Sequence, residues 1–176
     1  MSKAQMVGWS HSHFGKSEAP TTQALMGEVV APALEHAGIG AESVDGVFVG
    51  VMNNGFSKQD FQGALVGMAH EGLGMVPAVR MENACATGSA ALYSAIDFIE
   101  SGRGRIALVV GAEKMTAIPT VQTGDILLGA SYREEEAEVE GGFAGLFGRI
   151  AQQYFQKYGD RSEELAMIAA KNHKNG

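Results

Sequence analysis

Short apolar runs alternate with longer stretches of helical spacing along the first two thirds of the chain. The runs at 44–52 (VDGVFVGVM) and 105–112 (RIALVVGA) are rich in β-branched residues and have few polar interruptions, as expected for strands covered on both faces. Shorter apolar segments at 5–9 and 76–82 predict two further strands. The alternation indicates an α/β fold with a layered parallel sheet built in the order β-α-β-α-β-α-β.

Three stretches between these strands have the apolar spacing of helices. They cover residues 21–37, 60–70 and 86–100, and Gly38 stands directly after the first, where a C-terminal cap is expected. The third stretch follows its strand almost directly, so this strand and helix should meet in a sharp turn. We expect the helices to cover the sheet on both faces, as in doubly wound folds.

The pattern changes after the last predicted strand. Residues 113–140 show no clear period, and the acidic run at 134–140 is interpreted as a solvated segment. Two helices are predicted beyond it, at 143–158 and 162–172, and the second opens with Ser162 in the style of an N-cap. No strand is predicted after them.

This change divides the chain into two predicted domains. Residues 1–115 form the α/β core, and residues 116–176 form an incomplete helical domain. Because no strand returns to the sheet after these helices, we expect the sheet of the α/β core to be incomplete. We therefore expect an exposed sheet edge and an uncovered apolar face, both of which call for a partner.

Composition and charge narrow the classes of partner. The 176 residues carry a formal net charge of −7 and have an isoelectric point near 5.2. Nucleic acids and anionic membrane surfaces need a basic face, so small molecules and proteins remain as partners. No apolar run approaches the roughly 18 residues of a membrane span, and the first residues lack the apolar core of a signal peptide. We expect a cytoplasmic protein.

Cys85 is the single cysteine of the chain, and it falls at the predicted turn from a strand into a helix. The surrounding sequence, MENACATGSAA at 81–91, supplies small side chains that leave the thiol uncrowded. A helix N-terminus favours the thiolate, and its backbone N–H groups can hold a developing oxyanion. The alternative is an inert thiol packed in the core, which is common for a lone cysteine.

Two other motifs are weaker. Gly15-Lys16-Ser17 resembles the end of a P-loop, but Ser10 occupies the place of the required first glycine, so we interpret it as a solvated loop. His11 and His13 have no acidic or sulfur ligand nearby in sequence, and a metal site needs three or four ligands. No metal site is predicted.

The segment at 77–116, PAVRMENACATGSAALYSAIDFIESGRGRIALVVGAEKMT, closely resembles the thiolases. In that family the small-residue segment around the cysteine carries the acyl-accepting nucleophile. Residues 10–16, 44–52 and 143–154 are similar to the sterol-carrier-protein branch of the family. The resemblance implies the thiolase fold, with this chain as its N-terminal half ending inside the loop domain that faces CoA. It also implies a homodimer formed near the cysteine-bearing strand.

The same resemblance implies a site and a substrate. Cys85 would attack a 3-ketoacyl-CoA or acetyl-CoA carbonyl and become acylated, and Arg149 is a candidate contact for a CoA phosphate. Claisen chemistry also needs a base and an acid. Thiolases place these on a histidine in a Gly-His-Pro motif and on a second cysteine, and neither occurs in these 176 residues. A CoA thioester is the implied substrate, with no covalently bound cofactor.

Three functional hypotheses follow. The first is a thiolase-type acyltransferase of which this chain is the nucleophile-bearing half, inactive alone and paired with a second copy or a C-terminal half. The second is a non-catalytic thiolase-like scaffold or acyl-CoA-binding subunit of a larger complex, which the missing base and acid favour. The third is a cysteine hydrolase or ketosynthase-like condensing enzyme, because these share the same strand-to-helix placement of a nucleophile.

Overall fold

The computed structural model describes residues 4–176, which form two compact units. The first extends to Pro119, and the second runs from Thr120 to Gly176. All strands of the described residues belong to the first unit, and the second unit is helical. Within the described part of the chain, no helix is long and apolar enough to span a membrane.

Three parallel strands form the sheet of the first unit: β1 (Gly46–Gly50), β2 (Ala78–Met81) and β3 (Ala107–Gly111). β1 lies in the middle, so the strand order is β2-β1-β3. Each strand is one or two residues shorter at either end than its apolar run in the sequence. The predicted α/β class and parallel sheet are confirmed.

The helix α1 (Thr22–Ala37) begins and ends at specific capping residues. Thr21 precedes it in an extended conformation, and its hydroxyl accepts a hydrogen bond from the backbone N–H of Ala24 at 3.1 Å. Gly38 follows in the left-handed conformation, with φ of 67°, which lets its N–H return to the last carbonyls of the helix. The cap expected at Gly38 is confirmed.

The predicted strand at 5–9 is wrong. These residues have no regular secondary structure and lie instead beside the end of α1, where the backbone N–H of Trp9 donates to Nδ1 of His36 at 3.1 Å. Gly8 lies so close to the same helix that a side chain there would overlap it. Contact with a helix therefore replaces strand pairing, and Met6 remains 85% exposed.

The helix predicted at 60–70 is broken, because Phe61 has a positive φ of 55° that a helix cannot accommodate. A 3-10 turn at Gln62–Ala64 and the short α2 (Leu65–Ala69) take its place. The next helix, α3 (Thr87–Glu100), begins one residue later than predicted and ends where predicted.

β1 is covered on both faces, which explains its continuous apolar sequence. Val47 and Val49 belong to a core cluster on one face, and Phe48 belongs to a cluster on the other. The first cluster receives from α1 the side chains of Met26, Val30 and Leu34. The second receives from α3 the side chains of Ala91 and Ala95.

The second unit contains four α-helices among the described residues: α4 (Thr120–Leu127), α5 (Arg133–Glu136), α6 (Gly142–Tyr158) and α7 (Ser162–Asn175). The last two agree with the helices predicted at the end of the chain.

The interpretation of 134–140 as a solvated segment holds for most of its residues, since its glutamates at 134, 135, 138 and 140 are exposed, but not for all of it. Its first residues belong to the helical turn α5, and Val139 is only 7% exposed. Polar side-chain contacts, which a hydrophobic pattern does not predict, stabilise this region: the Arg133 guanidinium forms an ion pair with Asp125 at 2.7 Å. In addition, the Glu136 carboxylate accepts a hydrogen bond from the backbone N–H of Tyr132.

Candidate active site

Cys85 lies on the connection between β2 and α3, at the carboxyl edge of the parallel sheet. Residues Ala84–Ala86 form a 3-10 turn that leads directly into the helix. Cys85 is exposed and its thiol is free. Parallel α/β sheets bind ligands at this edge, so the position suits a nucleophile that must meet a substrate from solvent.

The backbone immediately before Cys85 is strained. Ala84 has a positive φ of 44°, a left-handed conformation in which its Cβ crowds the backbone at a cost of about 1–2 kcal/mol. The conformation is held in part by the Glu82 carboxylate, which accepts a hydrogen bond from the Ala84 N–H at 2.6 Å. Strain of this kind is retained where neighbouring contacts enforce it, and it is typical of functional turns.

Thr87 braces the turn from inside. Its buried hydroxyl accepts a hydrogen bond from the backbone N–H of Asn83 at 2.8 Å and donates one to the carbonyl of Ala84 at 2.6 Å. The N–H of Ala86 also donates to the carbonyl of Asn83 at 2.8 Å. Cys85 is therefore presented on a turn whose backbone is bound on both sides of it.

Small residues keep the surroundings of the thiol open. Ala84 and Ala86 flank it, and Gly88, three residues further along the chain, faces open space: apart from its chain neighbours and the backbone of its own helix, no atom of the described residues lies within 4 Å of a Cβ placed there. Positions three apart lie on the same face of a 3-10 or α-helical turn, so a side chain at Gly88 would stand beside Cys85. The predicted absence of crowding at the cysteine agrees with this geometry.

Two charged residues at the same edge of the sheet were missed by sequence reasoning. Arg80 extends from β2, and its side chain is 30% exposed. Glu113 follows β3 and is half-buried, and burial raises the pKa of its carboxyl above the ordinary value. Hydrogen bonds from the N–H groups of Met52 and Asn53, and the charge of Arg80, act on this pKa in the opposite direction. A charge within or directly after an apolar strand run is the signal that could have identified them.

Within the described part of the chain, no hydrogen bond joins the thiol of Cys85 to an imidazole. Nδ1 of His36 accepts from Trp9, and the imidazoles of His11 and His173 contact backbone carbonyls of neighbouring residues. The same residues, 4–176, contain no group of three or more side chains that could hold a metal ion.

Arg149, the predicted contact for a CoA phosphate, lies in the second unit. It occupies an exposed position on α6, whereas Cys85 belongs to the first unit. The aromatic side chains of α6 that follow it, Tyr154 and Tyr158, are about half exposed. The role of Arg149 stays a prediction.

The fold and site define an α/β protein with a free cysteine on a braced strand-to-helix turn at the carboxyl edge of its sheet. Residues 4–176 match the family model described as the N-terminal domain of thiolase, and the chain belongs to the thiolase family. The resemblance inferred from the sequence is thereby confirmed.

The chain is similar to acetyl-CoA acetyltransferase of Methanocaldococcus jannaschii, with 35% identity over 176 residues that cover 99% of this chain and 44% of the relative. It is also similar to human sterol carrier protein 2, with 32% identity over 122 residues covering 60% of this chain and 21% of that protein. A solved 3-oxoacyl-acyl-carrier-protein synthase III from Aquifex aeolicus shares 26% identity at a TM-score of 0.48, over 55% of this chain and 30% of its own. The chain thus spans less than half the length of these relatives.

Proposed function

We propose that this chain carries the nucleophile of a thiolase-type acyl transfer between CoA thioesters, with Cys85 as the acyl-accepting residue. The observation that carries the proposal is the exposed thiol of Cys85 on a strained, braced turn at the start of α3. The relatives named acetyl-CoA acetyltransferase support acetyl-CoA as the substrate class. The direction of the overall reaction, thiolysis of a 3-ketoacyl-CoA or formation of acetoacetyl-CoA, follows from which thioester is supplied.

The proposed acylation step is a thioester exchange. The Cys85 thiolate attacks the carbonyl carbon of acetyl-CoA, a new carbon–sulfur bond forms, and the carbon–sulfur bond to CoA breaks with release of the CoA thiolate. N–H groups at the start of α3 are suited to hold the negative charge that develops on the carbonyl oxygen. Return of the acyl group to CoA regenerates the thiolate.

Complete turnover requires groups that this chain does not supply. Forming or breaking a carbon–carbon bond needs a base for the α-proton and an acid for the departing group. The 176 residues contain no Gly-His-Pro motif and no second cysteine. We therefore propose that the chain alone performs the acylation step and not the full cycle.

Mass spectrometry after incubation with acetyl-CoA tests the proposal. The expected result is one acetyl group on the peptide that contains Cys85, removed by hydroxylamine and absent from Cys85→Ser. The exposed position of Cys85 makes this substitution compatible with an unchanged fold. An unmodified Cys85 in a protein shown to be folded would refute the catalytic role.

A non-catalytic scaffold or acyl-CoA-binding subunit is the second candidate. The observation that favours it is the lack of any hydrogen bond between Cys85 and a histidine among the described residues. This function predicts saturable binding of acyl-CoA without thioester formation, equal in the unaltered protein and in Cys85→Ser. In either function Arg149 is our candidate for the phosphate contact, and Arg149→Ala should weaken binding of CoA.

We also propose that the chain pairs with a second copy of itself through β2. This strand has a strand partner on one side only among the described residues, and Val79 on it is 47% exposed. An exposed apolar edge strand is a template for pairing with another chain. Pairing with a C-terminal half of a thiolase is the alternative outcome.

A further inference from the structure

Arg80 and Glu113 bind the same two peptide groups at the end of β1. Arg80 donates from Nε to the carbonyl of Val51 at 2.9 Å and from Nη2 to the carbonyl of Met52. The Glu113 carboxylate accepts from the N–H of Met52 at 2.9 Å and from the N–H of Asn53 at 3.1 Å. Each peptide group therefore has its carbonyl held by the arginine and its N–H held by the glutamate. We call this arrangement the charge clamp.

The charge clamp imposes a backbone that a strand does not adopt. Successive N–H groups of a strand point in opposite directions, whereas here two successive N–H groups face one carboxylate. The chain accordingly turns into the left-handed region at Asn53, with φ of 55°, and remains there at Asn54, with φ of 42°. The side chain of Asn53 completes the loop by accepting from the N–H of Ser57 at 2.8 Å. The loop after β1 is thus held at defined points.

A turn alone does not require two charges. Glycine or asparagine turns a chain at little cost, whereas a half-buried carboxylate and a half-buried guanidinium each lose hydration. The loss at Arg80 is offset by its bonds to the two carbonyls and by an ion pair with Asp60 at 3.1 Å. Such an arrangement is expected where a loop must be placed accurately.

The clamped segment directly follows Gly50, which packs so closely beside the nucleophile turn that it leaves little room for a side chain. Gly50 ends β1, and a Cβ placed on it would lie 3.1 Å from Cγ2 of Thr87 and 3.4 Å from the carbonyl oxygen of Thr87. Thr87 is the residue whose hydroxyl bridges Asn83 and Ala84 across the turn. The contact path from the clamp to the thiol therefore runs from Val51 through Gly50 and Thr87 to the backbone that presents Cys85.

We infer that Arg80 and Glu113 are positioning residues for Cys85: by fixing the end of β1, they set the place of Thr87 and hence of the nucleophile turn. The inference deepens the proposed function, because accurate placement matters only if the thiol reacts. Neither residue touches the substrate in this assignment. Their effect is on the geometry of the thiol.

The sheet offers a matched control at its opposite end. Asp45 precedes β1, and its Oδ2 accepts from the N–H of Arg105 at 2.7 Å and from the N–H of Ile106 at 3.0 Å. Like Glu113, it is a carboxylate that binds two successive N–H groups beside β1, but it lies at the amino edge of the parallel sheet, away from Cys85. Asp45→Asn therefore removes the charge and replaces one carboxylate oxygen with an amide group at this end of the strand, as Glu113→Gln does at the other, without touching the clamp.

The experiment compares Glu113→Gln, Arg80→Lys and Asp45→Asn with the unaltered protein by three measurements. Because Cys85 is the only thiol, alkylation by iodoacetamide at pH 7 reports on this residue alone. We expect Glu113→Gln to slow it about fivefold and to lower the maximal rate of acetylation by acetyl-CoA about tenfold, with the half-saturating concentration unchanged. Hydrogen exchange at the Asn83 amide should become about tenfold faster. Asp45→Asn should leave all three within about twofold.

Arg80→Lys supplies a second test if Glu113→Gln does not fold. Lysine keeps the positive charge, but its single ammonium group cannot reproduce the two hydrogen bonds that the guanidinium donates to separate carbonyls. We therefore expect slower alkylation, slower acetylation and faster exchange at the Asn83 amide, as in Glu113→Gln. If only the amides of Met52 and Asn53 exchange faster while Cys85 reacts as before, the inference is overturned. If Asp45→Asn slows the alkylation and acetylation of Cys85 as much as Glu113→Gln does, the inference is also overturned, because the effect would then come from a general loss of stability. If the unaltered protein is not acetylated, the proposed function fails, and alkylation and exchange still decide the positioning role.

Discussion

At the scale of single residues, four non-glycine residues of the described chain have a positive φ: Asn53, Asn54, Phe61 and Ala84. Asparagine tolerates this conformation because its side chain bonds to the local backbone, whereas alanine gains nothing from it. The strain at Ala84 therefore has to be enforced by its neighbours, and it is adjacent to Cys85. Strain next to a reactive group is consistent with a turn shaped for presentation of the thiol.

Ala84→Gly should raise the free energy of unfolding by about 0.5–1 kcal/mol, because glycine adopts the left-handed region without the crowding of a Cβ. The same change loosens the turn, so acetylation at Cys85 should become slower. Ala86→Gly is the matched control: Ala86 has φ of −93°, and there glycine should lower stability by about 0.5 kcal/mol. Urea denaturation measures both, and a loss of stability in Ala84→Gly would contradict the prediction.

At the scale of elements, β1 is tied to its neighbours at both ends by carboxylates. Asp45 binds the N–H groups of two residues that lead into β3, and Glu113 binds two N–H groups after β1. The two carboxyls titrate differently. The N–H of Arg105, followed by that of Ile106, lowers the pKa of the exposed Asp45, whereas burial raises that of Glu113. The pKa values of the carboxyls at the two ends of β1 are thus shifted in opposite directions.

The lowered pKa of Asp45 predicts a specific acid sensitivity. A carboxyl whose pKa is lower in the folded state stabilises the fold above its ordinary pKa, and this contribution is lost as the pH falls through the folded value. In Asp45→Asn the free energy of unfolding should therefore fall less steeply between about pH 5 and pH 2 than in the unaltered protein. Urea titrations at several pH values measure this slope. Asp97→Asn, on the exposed side of α3, is the control, and equal slopes in Asp45→Asn and the unaltered protein would refute the prediction.

At the scale of the whole molecule, the chain is a member of the thiolase family that spans 44% of the length of its relative from M. jannaschii. Its sheet of three strands places β2 and β3 at the edges. On the side away from β1, β2 has no strand partner among the described residues, but Gly63 lies against its backbone there; Val79 is 47% exposed. Association through this strand is the simplest way to cover it.

Val79→Glu should therefore shift the protein towards the monomer. A carboxylate on an edge strand opposes pairing with another apolar strand, and we expect the dissociation constant to rise at least about tenfold, equivalent to about 1.4 kcal/mol. Sedimentation velocity over a range of concentrations gives the measurement. Val121→Glu, at an 86% exposed position on α4, should have no effect. An unaltered protein that is monomeric at all concentrations would rule out the pairing.

Local patterns were sufficient for much of the fold. β1 and β3 were predicted because each is a continuous apolar run, and α1 was predicted to within one residue because Gly38 marks its end. The segment at 5–9 has a comparable apolar content but contacts α1, and no local pattern distinguishes a strand from an extended segment beside a helix. The helix at 60–70 was similarly overestimated, since the positive φ of Phe61 interrupts it and Gly63 lies against the backbone of β2, a contact that helical spacing does not reveal.

The sequence by itself determined the α/β class, the thiolase family and the cysteine at a strand-to-helix turn, because spacing, composition and a contiguous motif are local properties. Only the tertiary structure decided what surrounds that cysteine. Arg80 and Glu113 are 33 residues apart and meet at the end of β1 because the strands that carry them flank it. Such contacts depend on strand order, and the sequence pattern of a single strand does not specify which strands will lie beside it.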